Sequence, residues 1–380
     1  MNVPRHIQTL PPYQPIEPFE VLSERLGRAP SEIIKLDANE NPYGLGPAAR
    51  QALAELEYPH IYPDPESRLL RGALSRFTEL PAEFLMAGAG ADELLYLILR
   101  VCLEPGEAVL SCPPTFGMYA FDTHLHAGRL IEIPRQFDYS LDLPAIRQAV
   151  ADERPKILFL ASPNNPDGSL IPADTIDALL ELPLLLVLDE AYIEFSGLGR
   201  LGAGGTRLGE VPRRENLVVL RTFSKWAGLA GLRVGYGAFP AWLMPLLWKA
   251  KQPYNVNVAA SQAAIASLED LVYLEQKVAA LVAERERMFA ALSRSARIQP
   301  YPSRANFLLC RIAHNEEDGA ISPGKAVLGP SPGQSLRTRL MQRGILIRYF
   351  DKPGLQDCIR ISAGKPEHTE RLLEALHELL

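Results

Sequence analysis

The sequence predicts an α/β protein, with a large lobe built on a mostly parallel sheet flanked by helices and a smaller α+β lobe at the C-terminal end. Two observations carry this. Short apolar runs at 84–87, 108–110, 156–161, 184–188 and 217–220 alternate with amphipathic stretches, the signature of repeated strand and helix units. Polar or glycine-rich segments follow directly on several of these runs, which is where open parallel sheets place their ligand sites. A chain of 380 residues, 47% hydrophobic and 22% charged, is long enough to fill two lobes.

Charge and composition exclude several classes. The net charge is −6 and no basic run occurs, so nucleic acid and anionic membrane are poor partners. Residues 1–15 alternate prolines with polar residues, and the longest apolar run, 182–188, contains Pro183 and is too short to span a bilayer. Cys102, Cys112, Cys310 and Cys358 lack CxxC spacing. Reduced thiols in a cytoplasmic protein are the expectation.

Taken in order, residues 1–30 read as an irregular arm, followed by a short strand at 33–36 and a loop, Asn39-Glu40-Asn41-Pro42-Tyr43-Gly44, crowded with helix breakers. Leu69, Leu70, Ala73, Leu74 and Phe77 predict a helix after Tyr62. The run 84–87 then leads through a glycine-rich turn, 88–93, into a helix whose free amides favour a phosphate. A dinucleotide fingerprint needs a third glycine where Glu93 stands, so a nicotinamide site fails its own template. His124 and His126 would share a face if that stretch were extended, but no third ligand follows at metal spacing, and no metal is expected.

The strand at 156–161 ends in Ser162-Pro163-Asn164-Asn165-Pro166-Asp167-Gly168, and the strand at 184–188 delivers Asp189. A carboxylate at the end of a buried strand needs either a charged partner or a capping role. Residues 196–214 form a loop. The strand at 217–220 then runs into Lys225, flanked by Phe223, Trp226 and Leu229. Partial desolvation disfavours the charged amine and favours a nucleophile, whereas a lone lysine at a strand end more often snorkels to the surface. Leu271, Leu274, Val278, Leu281, Met288 and Leu292 keep a helical period, as expected of a long helix joining the lobes. Strands follow at 303–309, 344–348 and 358–362, with an inserted loop at 313–334 and a closing helix carrying Leu372, Leu373, Leu376 and Leu379. Arg348 and Arg360 each lie in an apolar strand, where guanidinium seeks an anion or an internal carboxylate. The division expected is an arm at 1–30, a large lobe at 31–265 and a small lobe at 266–380.

The run Thr222-Phe223-Ser224-Lys225 with Gly228-Leu229-Ala230-Gly231-Leu232-Arg233 resembles the lysine segment of pyridoxal-phosphate-dependent aminotransferases of fold type I, above all the histidinol-phosphate aminotransferase branch. The likeness continues in family order through Asn39-Glu40-Asn41-Pro42-Tyr43, Tyr62-Pro63-Asp64, Gly90-Ala91-Asp92-Glu93, Pro114-Thr115-Phe116-Gly117-Met118-Tyr119, Ser162-Pro163-Asn164-Asn165-Pro166, Asp189-Glu190-Ala191-Tyr192 and Ile359-Arg360-Ile361-Ser362. It covers nearly the whole chain.

The resemblance implies that Lys225 carries pyridoxal 5'-phosphate and later acts as base, that Asp189 keeps the ring nitrogen protonated, and that Tyr192 and Asn165 serve the phenolic oxygen. It implies a phosphate cradle from Ala91, Asp92, Ser224, Thr222 and Arg233, completed across a homodimer interface by Tyr62 of the other subunit. Arg360, Arg348, Tyr43 and Asn165 would meet the substrate. Phe116 stands where the family usually stacks a tyrosine on the ring, and Asp167 where it more often has threonine. The partners implied are a small amino donor and a 2-oxo acid. The reaction implied joins histidinol phosphate and 2-oxoglutarate to give imidazole acetol phosphate and glutamate, in histidine biosynthesis. Aromatic amino-acid transamination and threonine-phosphate decarboxylation share the scaffold. A regulator that binds the cofactor without catalysis is a further class, but no basic DNA-binding segment precedes the lobe.

Overall fold

The computed structural model describes residues 3–12, 17–313 and 331–380. Its strands, in chain order, are β1 (Ile34–Leu36), β2 (Leu85–Gly88), β3 (Ala108–Ser111), β4 (Arg129–Glu132), β5 (Ile157–Ala161) and β6 (Leu185–Asp189), then β7 (Leu217–Thr222), β8 (Gly235–Ala238), β9 (Ile298–Pro300), β10 (Phe307–Ile312), β11 (Ile345–Tyr349) and β12 (Cys358–Ser362). Seven form one sheet in the order β2-β8-β7-β6-β5-β3-β4. Only β8 runs antiparallel to its neighbours, β2 and β7. The remaining contacts of that sheet are parallel.

Each central strand is buried on both faces. In β6, Leu186 and Leu188 pack into one core while Leu185 and Val187 pack into another. That is why these strands read as unbroken apolar runs rather than alternating ones. The second sheet, β1-β11-β12-β10-β9, has its own core, closed by Leu336 and Leu340 of the helix Pro332–Gln342 and by Leu372 and Leu376 of the helix Pro366–Leu379.

The helix Leu271–Leu292, 22 residues long, joins the two. Its Leu274, Val278 and Leu281 belong to the large core, and its Met288 and Leu292 to the small one. The change of lobe therefore falls inside this helix, later than the expected boundary at 265, which lies within the helix Val258–Glu269.

Three other expectations are corrected. The N-terminal arm is not irregular throughout: it carries the helices Arg5–Thr9 and Phe19–Leu26, each beginning after a proline whose missing N–H costs nothing at a helix start. The strand at 34–36 does not open the large lobe. It pairs parallel with β11 in the small sheet, Ile34 opposite Ile345, so the chain reaches the large lobe only after residue 36. The stretch holding His124 is the helix Met118–Leu125, not an extended segment. Of the expected loop at 313–334, residues 314–330 lie outside the described residues, and Pro332 already begins a helix.

Candidate active site

The lysine turn is built from both sides. Phe223, Trp226 and Leu229 are sunk in the core, which leaves Lys225 partly buried at the mouth of β7. Its Nζ donates to the carbonyl of Ala38 at 3.1 Å. The loop at 39–44 closes over this turn: Asn41 Nδ2 donates to the Trp226 carbonyl at 2.9 Å. Gly228 sits at φ +71°, and a Cβ there would lie 2.3 Å from the Gly44 carbonyl oxygen, so only glycine admits the approach. Burial, reinforced by the Arg360 guanidinium, lowers the Lys225 pKa to about 8.

Asp189 ends β6 beside it, in register with Leu220 of β7. Its Oδ1 accepts from the Ala191 N–H at 3.0 Å and its Oδ2 from the Tyr119 hydroxyl at 2.8 Å. Burial raises its pKa to about 6, and those two donors oppose the rise. Tyr119 is fully buried, stacked on Phe159 and edge-on to Phe116.

The helix Ala91–Cys102 points its first turn at the same space, and no side chain caps it. Glu93, where a third glycine would be needed, instead braces the turn by accepting from the Ala89 N–H and from Asn255 Nδ2. Arg233 comes in from the far side, pairing with Asp92 at 2.9 Å. The Thr222 hydroxyl donates to Ser224 Oγ at 2.9 Å and orients it. Together Ala91, Asp92, Thr222, Ser224 and Arg233 line a cavity of about 390 Å³ with Phe116, Asn165, Asp189, Tyr192 and Lys225.

A second cavity, about 660 Å³, meets the first at Phe116, Asn165, Tyr192 and Lys225. It is also lined by Arg348 and Arg360, which face each other in register on β11 and β12. Arg360 donates to Asn165 Oδ1 at 2.6 Å and to the Asp37 carbonyl at 2.7 Å. Arg135 and Lys352 add further positive charge.

Of the residues singled out from sequence, twelve of the fourteen line these two cavities. Tyr43 does not: its ring lies over Lys277 at 4.8 Å, beside the helix Leu271–Leu292. Tyr62 also lies elsewhere, 79% exposed and stacked on Tyr254 at 4.7 Å. Asp167, where the family prefers threonine, is buried and caps its own turn, accepting from the Ser169 N–H at 2.9 Å and from Asn164. The turn that presents Asn165 is thereby kept. His126 is tied into its helix, its Nδ1 2.8 Å from the Asp122 carbonyl, and no group of three or more potential metal ligands occurs among the described residues.

Two residues escaped the sequence reading. Tyr119 lay within a motif named above but had no role there, because its partner Asp189 is 70 positions away in sequence. Asn39 stood in a quoted motif without a role, because its partners Tyr192, Asn306 and Ser362 are far away in sequence.

Chemically, the first cavity could hold a flat phosphorylated heterocycle. It offers an uncapped helix start and a guanidinium for the phosphate, a buried acid for a ring nitrogen, an aromatic face and a partly neutral amine. The second could hold an anionic substrate against the same amine.

The family model for aminotransferase class I and II matches residues 31–376. The chain is 50% identical over 371 residues to the chloroplastic histidinol-phosphate aminotransferase of Nicotiana plumbaginifolia, covering 98% of this chain and 85% of that one. With the histidinol-phosphate aminotransferase of Roseiflexus castenholzii it shares 50% identity over 378 residues, 98% of this chain and 96% of the other. The crystal structure of histidinol-phosphate aminotransferase from Sinorhizobium meliloti in complex with pyridoxal-5'-phosphate superposes with a TM-score of 0.85 at 29% identity, covering 99% of this chain and 98% of that one. With its lysine turn, strand-end acid and paired arginines in place, the chain belongs to the class I and II aminotransferase family.

Proposed function

We propose that the protein is a histidinol-phosphate aminotransferase, using pyridoxal 5'-phosphate to move an amino group between histidinol phosphate and 2-oxoglutarate. The products are imidazole acetol phosphate and glutamate. The observation that carries this reading is 50% identity over 98% of the chain with an enzyme of that name. The cavities agree with it: an amine, an acid and a phosphate cradle on one side, two facing arginines on the other.

When bound, the cofactor supplies an electron sink for charge that develops on the substrate carbon bearing the amine. In this reading Lys225 Nζ carries the group and, once released, takes the proton from that carbon. Asp189 holds a proton at the ring nitrogen. Tyr192 and Asn165 serve the phenolic oxygen, and Phe116 offers its face to the ring. The amides of Ala91 and Asp92, the hydroxyls of Ser224 and Thr222, and Arg233 hold the phosphate. Arg348 and Arg360 take either the substrate phosphate or the carboxylates of glutamate, since guanidinium pairs bidentately with both. Tyr43 stands outside both cavities and has no substrate role in this reading.

The same reading makes the enzyme a homodimer. Tyr62 with Tyr254, next to exposed Ile61 and Tyr58, forms an apolar patch on the surface of a single chain, of the kind that another subunit covers. It also keeps the enzyme in the cytoplasm, which the four free cysteines favour. No helix among the described residues is long and apolar enough to cross a membrane.

The test supplies the purified protein with 2-oxoglutarate and, separately, histidinol phosphate, phenylalanine or threonine phosphate. Glutamate formed and carbon dioxide released are both measured. The expected kcat/KM for histidinol phosphate exceeds that for phenylalanine by about 100-fold or more, since a phenyl ring leaves unpaired the polar groups that would hold the substrate's own polar end. Absence of glutamate with histidinol phosphate would refute the assignment, and carbon dioxide from threonine phosphate would replace it.

A further inference from the structure

Asn39 is 1% exposed and sits at φ +56°, a left-handed conformation that asparagine accepts more readily than most residues with a side chain. All its polar groups are engaged. Its N–H donates to Ser362 Oγ at 2.9 Å, and its Oδ1 accepts from the same hydroxyl at 2.9 Å. Its carbonyl accepts from Asn306 Nδ2 at 3.0 Å, and its own Nδ2 donates to the Tyr192 oxygen at 3.1 Å.

Counting protons gives each of these bonds a direction. A backbone N–H can only donate, so Ser362 Oγ is the acceptor in that contact. The single hydroxyl proton of Ser362 is then left for the Asn39 side chain, whose facing atom must be its oxygen. The amide nitrogen therefore faces Tyr192, and the Tyr192 oxygen accepts there. The phenol proton cannot point at Asn39 and is left for the cavity that Tyr192 lines. Burial raises the Tyr192 pKa, so this proton is present at neutral pH.

We propose that Asn39 is a positioning residue that makes Tyr192 a hydrogen-bond donor toward the site, and that Ser362 locks Asn39 in the orientation this requires. The inference rests on the reading that Tyr192 serves the cofactor's phenolic oxygen. Turned end for end, the Asn39 amide would offer its oxygen to Tyr192 and draw the proton away from the cavity. Ser362 lies two residues beyond Arg360 on β12, and Arg360 donates to Asn165. One strand of the small lobe thus sets both groups intended for that oxygen.

The test compares Asn39→Asp, Asn39→Gly, Ser362→Ala, Tyr192→Phe and the double variant Asn39→Asp with Tyr192→Phe. Aspartate can only accept, which reverses the phenol proton, while glycine accommodates φ +56° and keeps a folded protein in hand. The principal readout is the pH titration of the bound cofactor's absorbance, alongside kcat and KM. Losing a donor leaves the phenolic oxygen more electron-rich and the chromophore more basic. Tyr192→Phe and Asn39→Asp should each raise the midpoint by about one pH unit, with Asn39→Gly and Ser362→Ala raising it less. The double variant should match Tyr192→Phe alone, because Asn39 acts through the phenol. Additive shifts in the double variant, or an unmoved midpoint in Asn39→Asp beside a lowered kcat, would overturn the role of Asn39 alone. An unmoved midpoint in Tyr192→Phe would overturn the tyrosine's role together with it, and histidinol phosphate turnover by the parent protein reports separately on the reaction.

Discussion

Lys225 and Asp189 are both held away from the protonation behaviour they would show in water, and burial is the first cause for each. A lysine with a pKa of about 8 is neutral in about a tenth of molecules at pH 7, against about 0.03% at its ordinary value. Asp189 is costly in the other sense. Its folded pKa, about 6, lies above the usual carboxylate value, so its ionised form destabilises the empty protein. That cost is absent below about pH 4, where both folded and unfolded states are protonated, grows between about 4 and 6, and is complete above. Replacing it by asparagine keeps both contacts, with the amide oxygen on the Ala191 N–H and the amide nitrogen on the Tyr119 oxygen. Asp189→Asn in the cofactor-free protein should therefore melt higher than the parent above pH 6, by about 3 kcal/mol in stability, with the advantage shrinking to nothing near pH 4. Thermal melts across that range check it, and a gap that stays flat with pH would count against the argument. Taken one at a time, Lys225 and Asp189 each left a plainer reading open, a surface amine and a strand-end cap, and the resemblance of their motifs supplied the roles. Tyr119 gained none. Its hydroxyl matters only because packing against Phe159 aims it at Asp189.

The strands do most of the placing. In the large sheet β5, β6 and β7 run parallel, so Asn165, Asp189 and Lys225 all follow their carboxyl ends and converge. Apolar runs followed by polar residues made that legible. The proposed phosphate cradle depends on a finer fit between one turn and one side chain. Gly90 lies at φ +84°, and a Cβ there would come within 2.6 Å of Arg233 Nη2. Gly90→Ala should weaken pyridoxal phosphate binding by about tenfold, close to 1.4 kcal/mol, while leaving binding of unphosphorylated pyridoxal nearly unchanged. Absorbance titration of the cofactor-free protein with both ligands decides this, and an equal loss for the two would show that the turn does something other than hold phosphate. Where prolines and polar residues crowded together, the element reading went wrong. At 1–30, Pro4 and Pro18 stand before helices, because a proline that interrupts a helix interior is harmless at its start.

At the scale of the whole molecule, a single chain leaves Tyr62 and Tyr254 in the open, away from the Lys225 cavity. If Tyr62 completes the site of the other subunit, Lys225→Ala and Tyr62→Ala chains should rescue each other. A mixed dimer contains one site with Lys225 from the second chain and Tyr62 from the first. Mixing the two weakly active variants under exchange conditions should restore about a quarter of parental activity, as random pairing of equal amounts gives half mixed dimers with one intact site each. Activity no higher than the mean of the separate variants would argue that Tyr62 works within its own chain or not at all. Burial pattern, a local property, made the alternation of strands and helices readable from the chain, whereas the class of chemistry and twelve of the cavity-lining residues came from the resemblance of its motifs to a known family. Only the tertiary structure decided that β1 belongs to the small sheet, that Tyr43 turns away toward Lys277, and that Asn39 and Ser362 aim Tyr192. Strand pairing and hydrogen-bond direction depend on residues that meet across hundreds of positions, and no local pattern records which partner will be there.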